Sequence, residues 1–194
     1  MTTRTATLPR EAATPAQTAL RAVDAIGALG GVIAVLCLVT LLGLILIEVG
    51  MGLLGKFVPA LAGGLSFSWE YSAYLMGAVF LFGAAAGLRA GSHVRVTLLL
   101  AQAKGGRLMV LEVISTLIGL CVSGFLAWSL IRFTIRAWNL GQLSSGSLTP
   151  LWIPDALLSA GAVLLALQFA ARLLRVFLGL PTEDESLKAG GVAE

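Results

Sequence analysis

Residues 26–47, IGALGGVIAVLCLVTLLGLILI, form an apolar stretch of 22 residues without one charged side chain. A helix of about 20 residues crosses the hydrocarbon core of a bilayer, so this stretch is long enough to span it. Three further stretches have the same character, at residues 71–88, 113–131 and 156–171. The sequence therefore predicts an all-α integral membrane protein with four transmembrane helices.

The composition supports this prediction. Hydrophobic residues make up 58% of the 194 residues and charged residues only 12%, whereas soluble domains carry about 25% charged residues. The mean hydropathy is +0.95. The formal net charge of +3 comes from basic residues that flank the spans. This placement favours a role in membrane orientation and gives no indication of nucleic-acid binding.

The four spans are predicted to form one membrane domain, residues 21–178, which is bounded by two polar tails. Residues 1–20 mix Thr, Ala, Pro and Arg without the apolar core of a secretory signal, which predicts a disordered cytoplasmic tail. Residues 179–194 combine acidic and small residues and are predicted to be a second cytoplasmic tail. The predicted spans are about 26–47, 71–91, 108–131 and 153–175.

The distribution of basic residues predicts the orientation. Ten of the 13 Lys and Arg residues lie in or next to the two tails and the central connection, and only Lys56, Arg132 and Arg136 lie in or next to the other two connections. By the positive-inside rule, both termini and the central connection are expected in the cytoplasm. The extracytoplasmic connections, residues 50–69 and 137–154, are apolar and contain Pro and Trp. They are expected to lie along the membrane interface or to pack on another protein.

Three charged residues near the ends of the spans are candidate contact sites. Glu70 and Arg89 are 19 residues apart, roughly 28 Å along a helix, so they mark the two faces of the bilayer on the second span. Glu112 lies about one turn inside the third span, where an unpaired carboxylate is costly. Arg89 is its preferred partner. Two alternatives remain: Glu112 pairs with Arg107, or its side chain reaches the membrane interface without a partner.

Catalysis finds no support in the sequence. The chain has one histidine, His93, and lacks the His and carboxylate clusters that bind haem, zinc or non-haem iron. We predict that it is not an enzyme and holds no cofactor. An autonomous transporter normally has charged residues and broken helices near the bilayer midplane. The mid-span polar residues here are hydroxyls such as Thr40 and Ser123.

Residues 68–99, SWEYSAYLMGAVFLFGAAAGLRAGSHVRVTLL, carry a resemblance to a known family. This stretch resembles the signature of the small, DctQ-type membrane subunit of TRAP (tripartite ATP-independent periplasmic) transporters. The matching residues are Trp69, Glu70, Gly83 to Ala85, Arg89, Gly91, His93 and Val94. Residues 145–175 are similar to the segment that leads into the last helix of that family. Two positions depart from the family pattern, because Tyr71 and Thr97 stand where acidic residues are frequent.

The resemblance implies a multi-pass protein of the bacterial inner (cytoplasmic) membrane. It implies two protein partners, a large TRAP membrane subunit and a periplasmic substrate-binding protein. The complex would take up an organic acid with sodium, and the small subunit would scaffold the elevator-type large subunit, which is expected to hold the sodium sites. The alternatives are the small subunit of a tricarboxylate tripartite transporter and an autonomous small membrane transporter. The substrate stays open.

Six residues are predicted to form an interface with partner subunits or membrane lipids: Trp69, Glu70, Arg89, His93, Arg95 and Glu112. Under this hypothesis, the three basic residues anchor the cytoplasmic end of the second span. They would do so through Glu112, through lipid phosphates, and through acidic or carbonyl groups of the large subunit.

Overall fold

The structure, a computed structural model, describes residues 15–58, 65, 67–90 and 106–180, with side chains from residue 18 in the first range and from residue 110 in the last. It contains four helices: α1, Pro15–Leu54; α2, Ser68–Arg89; α3, Gly106–Asn139; and α4, Trp152–Leu178. Each helix is long and apolar enough to cross a membrane. The prediction of an all-α fold with four spanning helices is confirmed for this part of the chain.

Two helices extend beyond their predicted spans. α1 has 40 residues, roughly 60 Å, and α3 has 34 residues, roughly 51 Å. Both are longer than the hydrocarbon core, which is about 30 Å thick. α1 begins at Pro15, because proline suits the first turn of a helix and the following Ala and Leu residues favour its continuation. The predicted tail boundary at residue 20 therefore falls inside α1.

The helices pack in the order α1, α2, α4, α3, with a smaller contact between α1 and α4. α4 is the most buried helix and α1 the least. One buried cluster joins α1, α2 and α4 and consists of Ala34, Ala78, Phe82, Ala85, Leu164 and Leu165. A second cluster joins α2, α3 and α4 through Leu81, Ala127 and Ala162, and we call it the middle layer. Small residues in both clusters allow the helix backbones to approach closely.

The connection between α3 and α4 folds back on itself. Leu143 and Pro150 form an isolated antiparallel bridge, and the Ser144 N–H donates to the Thr149 carbonyl at 2.9 Å. Two residues at its bends have positive φ, Gly141 at 58° and Leu148 at 55°. We call residues 140–151 the hairpin. It brings three hydroxyl-bearing residues back towards the start of α2.

Candidate functional site: polar clusters at the two ends of the bundle

Asp24, on α1, receives two arginines at one end of the bundle, which we call the Arg89 end. The Nε atom of Arg89 lies 3.3 Å from Asp24 Oδ1, and its Nη1 atom donates to the Asp24 carbonyl at 2.9 Å. Arg175, from α4, donates to the same carboxylate oxygen. One carboxylate therefore joins α1 to α2 and to α4. These side chains are 11 to 21% exposed, so water screens their attraction only partly.

Arg172 connects the remaining helix at this end. Its Nη2 atom lies 3.2 Å from Glu112 Oε1 on α3, and its Nη1 atom makes a long hydrogen bond of 3.5 Å to the Leu88 carbonyl on α2. Sequence reasoning selected Arg89 or Arg107 for Glu112 and did not consider Arg172. The structure supplies this partner from α4, because α3 and α4 are antiparallel neighbours that bring the two residues to the same level.

Gln168 fixes α1 to α4 one turn deeper. Its side-chain amide is 2% exposed and donates to the Val23 carbonyl at 2.9 Å. A Cβ added at Gly27 would lie 2.2 Å from the Gln168 nitrogen. A side chain at that position of α1 would displace the Gln168 amide, whereas glycine leaves it in place. The glycine-rich start of residues 26–47 thus allows a polar contact that hydrophobicity alone did not predict.

Glu70, in the first turn of α2, is bound by the hairpin at the opposite end, which we call the Glu70 end. Its carboxylate accepts hydrogen bonds from the Ser144 hydroxyl, from the Gly146 N–H at 2.9 Å and from the Ser147 hydroxyl at 3.0 Å. The side chain is buried. A buried carboxylate requires such donors, because burial removes its hydrogen bonds to water and the donors replace them.

Two further contacts close the Glu70 end. The Ser68 hydroxyl donates to the carboxylate of Glu48 and so joins α2 to α1. The hydroxyls of Tyr71 and Thr149 lie 2.8 Å apart and join α2 to the hairpin. Trp69, between these two contacts, is 66% exposed, which leaves its ring available to lipid or to a partner, as the interface hypothesis requires. His93 and Arg95 lie outside the described residues.

Between the two ends, the interior consists of apolar and small residues with a few hydroxyls. These hydroxyls bond to their own helices, since Ser123 donates to the Gly119 carbonyl at 2.7 Å and Thr134 to the Leu130 carbonyl at 2.9 Å. The Thr134 hydroxyl also lies 2.8 Å from the Ser159 hydroxyl on α4. Asp155 is buried, and one of its oxygens has no hydrogen-bond partner within the described chain. Among the described residues, no group of His, Cys, Asp and Glu is arranged to hold a metal ion.

The fold and these clusters define a class of protein. The polar groups connect helices to one another at the two ends, and the layers between them are packed and apolar. Such a bundle is suited to holding a shape within a membrane. In the described part of the chain, the polar contacts serve to join helices and form no grouping typical of a catalytic site.

The comparison with known families identifies the chain. Residues 45–179 match the family described as tripartite ATP-independent periplasmic transporters, DctQ component. The match covers more than half of the chain, and the chain belongs to this family. Neither a curated protein nor a solved structure matches it.

Membership of the family settles several predictions. The chain is the small membrane component of a TRAP transporter, it is a multi-pass protein of the inner membrane, and it is not an enzyme. Members of the family work in general with a large membrane subunit and a periplasmic binding protein. The resemblance predicted from residues 68–99 and 145–175 is confirmed, since both stretches lie within the match.

Proposed function

We propose that this chain is a rigid scaffold for the large, elevator-type subunit of a TRAP transporter. The complex takes up an organic acid, delivered by a periplasmic binding protein, and is driven by sodium. The substrate and sodium sites belong to the large subunit. The small subunit provides the fixed surface against which that subunit moves.

The observation that carries the proposal is the connection of the helices at both ends of the bundle. Asp24, Arg89 and Arg175 join three helices at the Arg89 end, and Arg172 with Glu112 adds the fourth. At the Glu70 end, the hairpin binds the carboxylate of Glu70. Sliding one helix along another would separate partly buried charges from their partners, which is unfavourable in a membrane.

The proposed orientation places the Arg89 end in the cytoplasm. Ten of the 13 basic residues lie in segments assigned to that side by the positive-inside rule. The Glu70 end, with the hairpin, then faces the periplasm. On this side the exposed Trp69 and the hairpin are placed where the binding protein arrives.

Reconstitution tests the proposal. We expect a tagged chain to retain the large subunit in mild detergent. Proteoliposomes should take up an organic acid only when both membrane subunits, the binding protein and an inward sodium gradient are present. Spin labels on α2 and α4, at Phe80 and Phe177, should keep one distance distribution through the transport cycle, while labels on the large subunit change theirs.

Three results would contradict the proposal. Uptake by the chain alone would favour an autonomous transporter. Uptake by the large subunit alone at the full rate would remove the need for a scaffold. A change of the Phe80–Phe177 distance during the cycle would show that the small subunit moves internally.

A further inference from the structure

Arg132 lies deeper in the bundle than the end of an apolar span would suggest. Leu130, two residues earlier on α3, packs against the middle layer of Leu81, Ala127 and Ala162. Leu81 follows Glu70 by 11 residues and precedes Arg89 by eight, so this layer lies near the centre of the membrane-crossing part of α2. Arg132 follows Ala127 by only five residues, roughly 8 Å along the helix.

The side chain of Arg132 extends along the outer face of α3 towards Trp128. Its guanidinium carbon lies 5.1 Å from the centroid of the Trp128 ring, one turn closer to the N-terminus of α3. Helical Cα–Cβ bonds tilt towards the N-terminus, and the N-terminus of α3 is at the Arg89 end. The Arg132 side chain is therefore directed away from the nearer membrane surface. The paired rings of Trp138 and Trp152 lie at the level of that surface.

Arg132 has no acidic partner within the described chain, where the ion pairs use Arg89, Arg172 and Arg175. Its neighbours are two exposed aromatic residues, Phe125 at 68% and Trp128 at 55%, with ring centroids 6.1 Å apart. The spacing of three and four residues places all three side chains on one outward face of α3. Stacking on Trp128 stabilises the cation in part, but it supplies no hydrogen-bond acceptor.

We propose that this face of α3, formed by Phe125, Trp128 and Arg132, is where the small subunit binds a transmembrane helix of the large subunit. That helix presents a carboxylate or an unpaired backbone carbonyl to Arg132 inside the hydrocarbon core, between the level of the middle layer and that of Trp138. The inference rests on the scaffold function proposed above, and it identifies which surface of the scaffold is used.

Charge complementarity favours a protein partner over lipid at this face. Hydrocarbon chains offer the guanidinium no acceptor, and phosphates lie roughly 15 Å from the bilayer centre, half the thickness of the core. Ionisable residues inside a membrane pair with one another or with backbone carbonyls. Trp and Arg are also the residues that most often dominate the binding energy of protein interfaces.

The test compares Arg132→Met with Arg136→Met in the complex with the large subunit. Arg136 is also exposed but lies one turn farther out, near the two tryptophans, where water and headgroups solvate it. We expect Arg132→Met to weaken retention of the large subunit by about tenfold or more, because the partner's acceptor is left buried and unpaired. Arg136→Met should change retention less than about twofold.

A photo-reactive benzoylphenylalanine at position 125 gives a second test that keeps Arg132 and so does not depend on how its variant folds. The expected product is a covalent adduct with the large subunit. Unchanged retention in Arg132→Met, or an adduct with phospholipid alone, would overturn the inference while leaving the scaffold function intact. A wild-type chain that retains no large subunit at all would instead refute the scaffold function itself.

Discussion

Glu70 shows how a single residue is held at the end of a transmembrane bundle. Three donors from the hairpin converge on its carboxylate, and the Gly146 backbone comes so close that a Cβ there would lie 2.8 Å from Glu70 Oε1. The resemblance described for residues 68–99 leads us to expect a second acidic residue after this position, where this chain has Tyr71. In this structure the Tyr71 hydroxyl reaches Thr149 of the same hairpin, so tyrosine also supports the attachment.

The close approach at Gly146 gives a prediction for the isolated chain. Gly146→Ala should lower the free energy of unfolding by about 1–3 kcal/mol, because the added methyl group forces the hairpin away from Glu70 and lengthens the hydrogen bonds. The measurement is reversible unfolding in mixed micelles, followed by tryptophan fluorescence. Gly124→Ala is the matched control, because a Cβ at Gly124 meets nothing within 4 Å. Equal stability of the two variants would show that the hairpin does not bind Glu70 tightly.

At the scale of the helices, α1 is the element that depends most on polar contacts. It is the longest helix and the least buried one, and many of its large apolar residues face outward. In lipid those residues gain little from packing on protein, since the lipid chains are as apolar as they are. The attachment of α1 to the bundle therefore relies on Asp24, on Gln168, on the hydrogen bond from Ser68 to Glu48 and on the small residues that let α2 and α4 approach.

Asp24→Asn should loosen α1 selectively. The neutral amide is no longer attracted to the charges of Arg89 and Arg175. We expect this loss to lower the free energy of unfolding by about 1–3 kcal/mol. The effect is smaller than for a fully buried ion pair, because the Asp24 side chain is partly exposed. The local effect is measured by the rate of disulfide formation between cysteines introduced at Gly31 and Ala86, since a Cβ at Gly31 would lie 3.4 Å from the Ala86 Cβ. This rate should fall when α1 loosens.

Arg21→Gln is the control for this experiment, since Arg21 is an exposed basic residue on the same helix. A double-mutant cycle of Asp24→Asn with Arg89→Gln should give a coupling energy clearly above zero. No coupling would mean that the observed ion pair does not contribute to the attachment of α1.

For the whole molecule, the two ends differ in the groups that join the helices. Arginine–carboxylate pairs connect the helices at the Arg89 end, whereas carboxylates bound by hydroxyls and a backbone N–H connect them at the Glu70 end. The excess of basic residues in the segments near the Arg89 end agrees with a cytoplasmic location. This orientation is a prediction from charge distribution.

Cysteine labelling of intact cells tests the orientation. With Cys37 and Cys121 replaced by alanine, a membrane-impermeant maleimide added from the periplasmic side should label Ser145→Cys in the hairpin and leave Thr18→Cys unlabelled until the membrane is disrupted. Both positions are exposed in the structure, so a difference in their reaction with the maleimide reports on which side of the membrane each position lies. The reverse labelling pattern would show that the orientation is the opposite one, with the hairpin in the cytoplasm.

The sequence by itself determined the class, the number of spanning helices and the family. These follow from properties that are local in the chain: hydrophobic length over residues 26–47, and the motif of residues 68–99, whose first part forms α2. Helix ends were predicted less well where a helix outruns the membrane, as in α1, because hydropathy reports the apolar thickness and not the length of the hydrogen-bonded backbone.

Only the tertiary structure decided which charges meet. Glu70 and the hairpin are more than 70 residues apart, and Asp24 and Arg175 are 151 residues apart. Their pairing depends on which helices are neighbours and on the level at which each residue lies. The depth and direction of Arg132 also came from the structure, because they depend on how α3 is aligned with α2. A charge pattern along one chain contains neither the order of the helices around the bundle nor their relative shift.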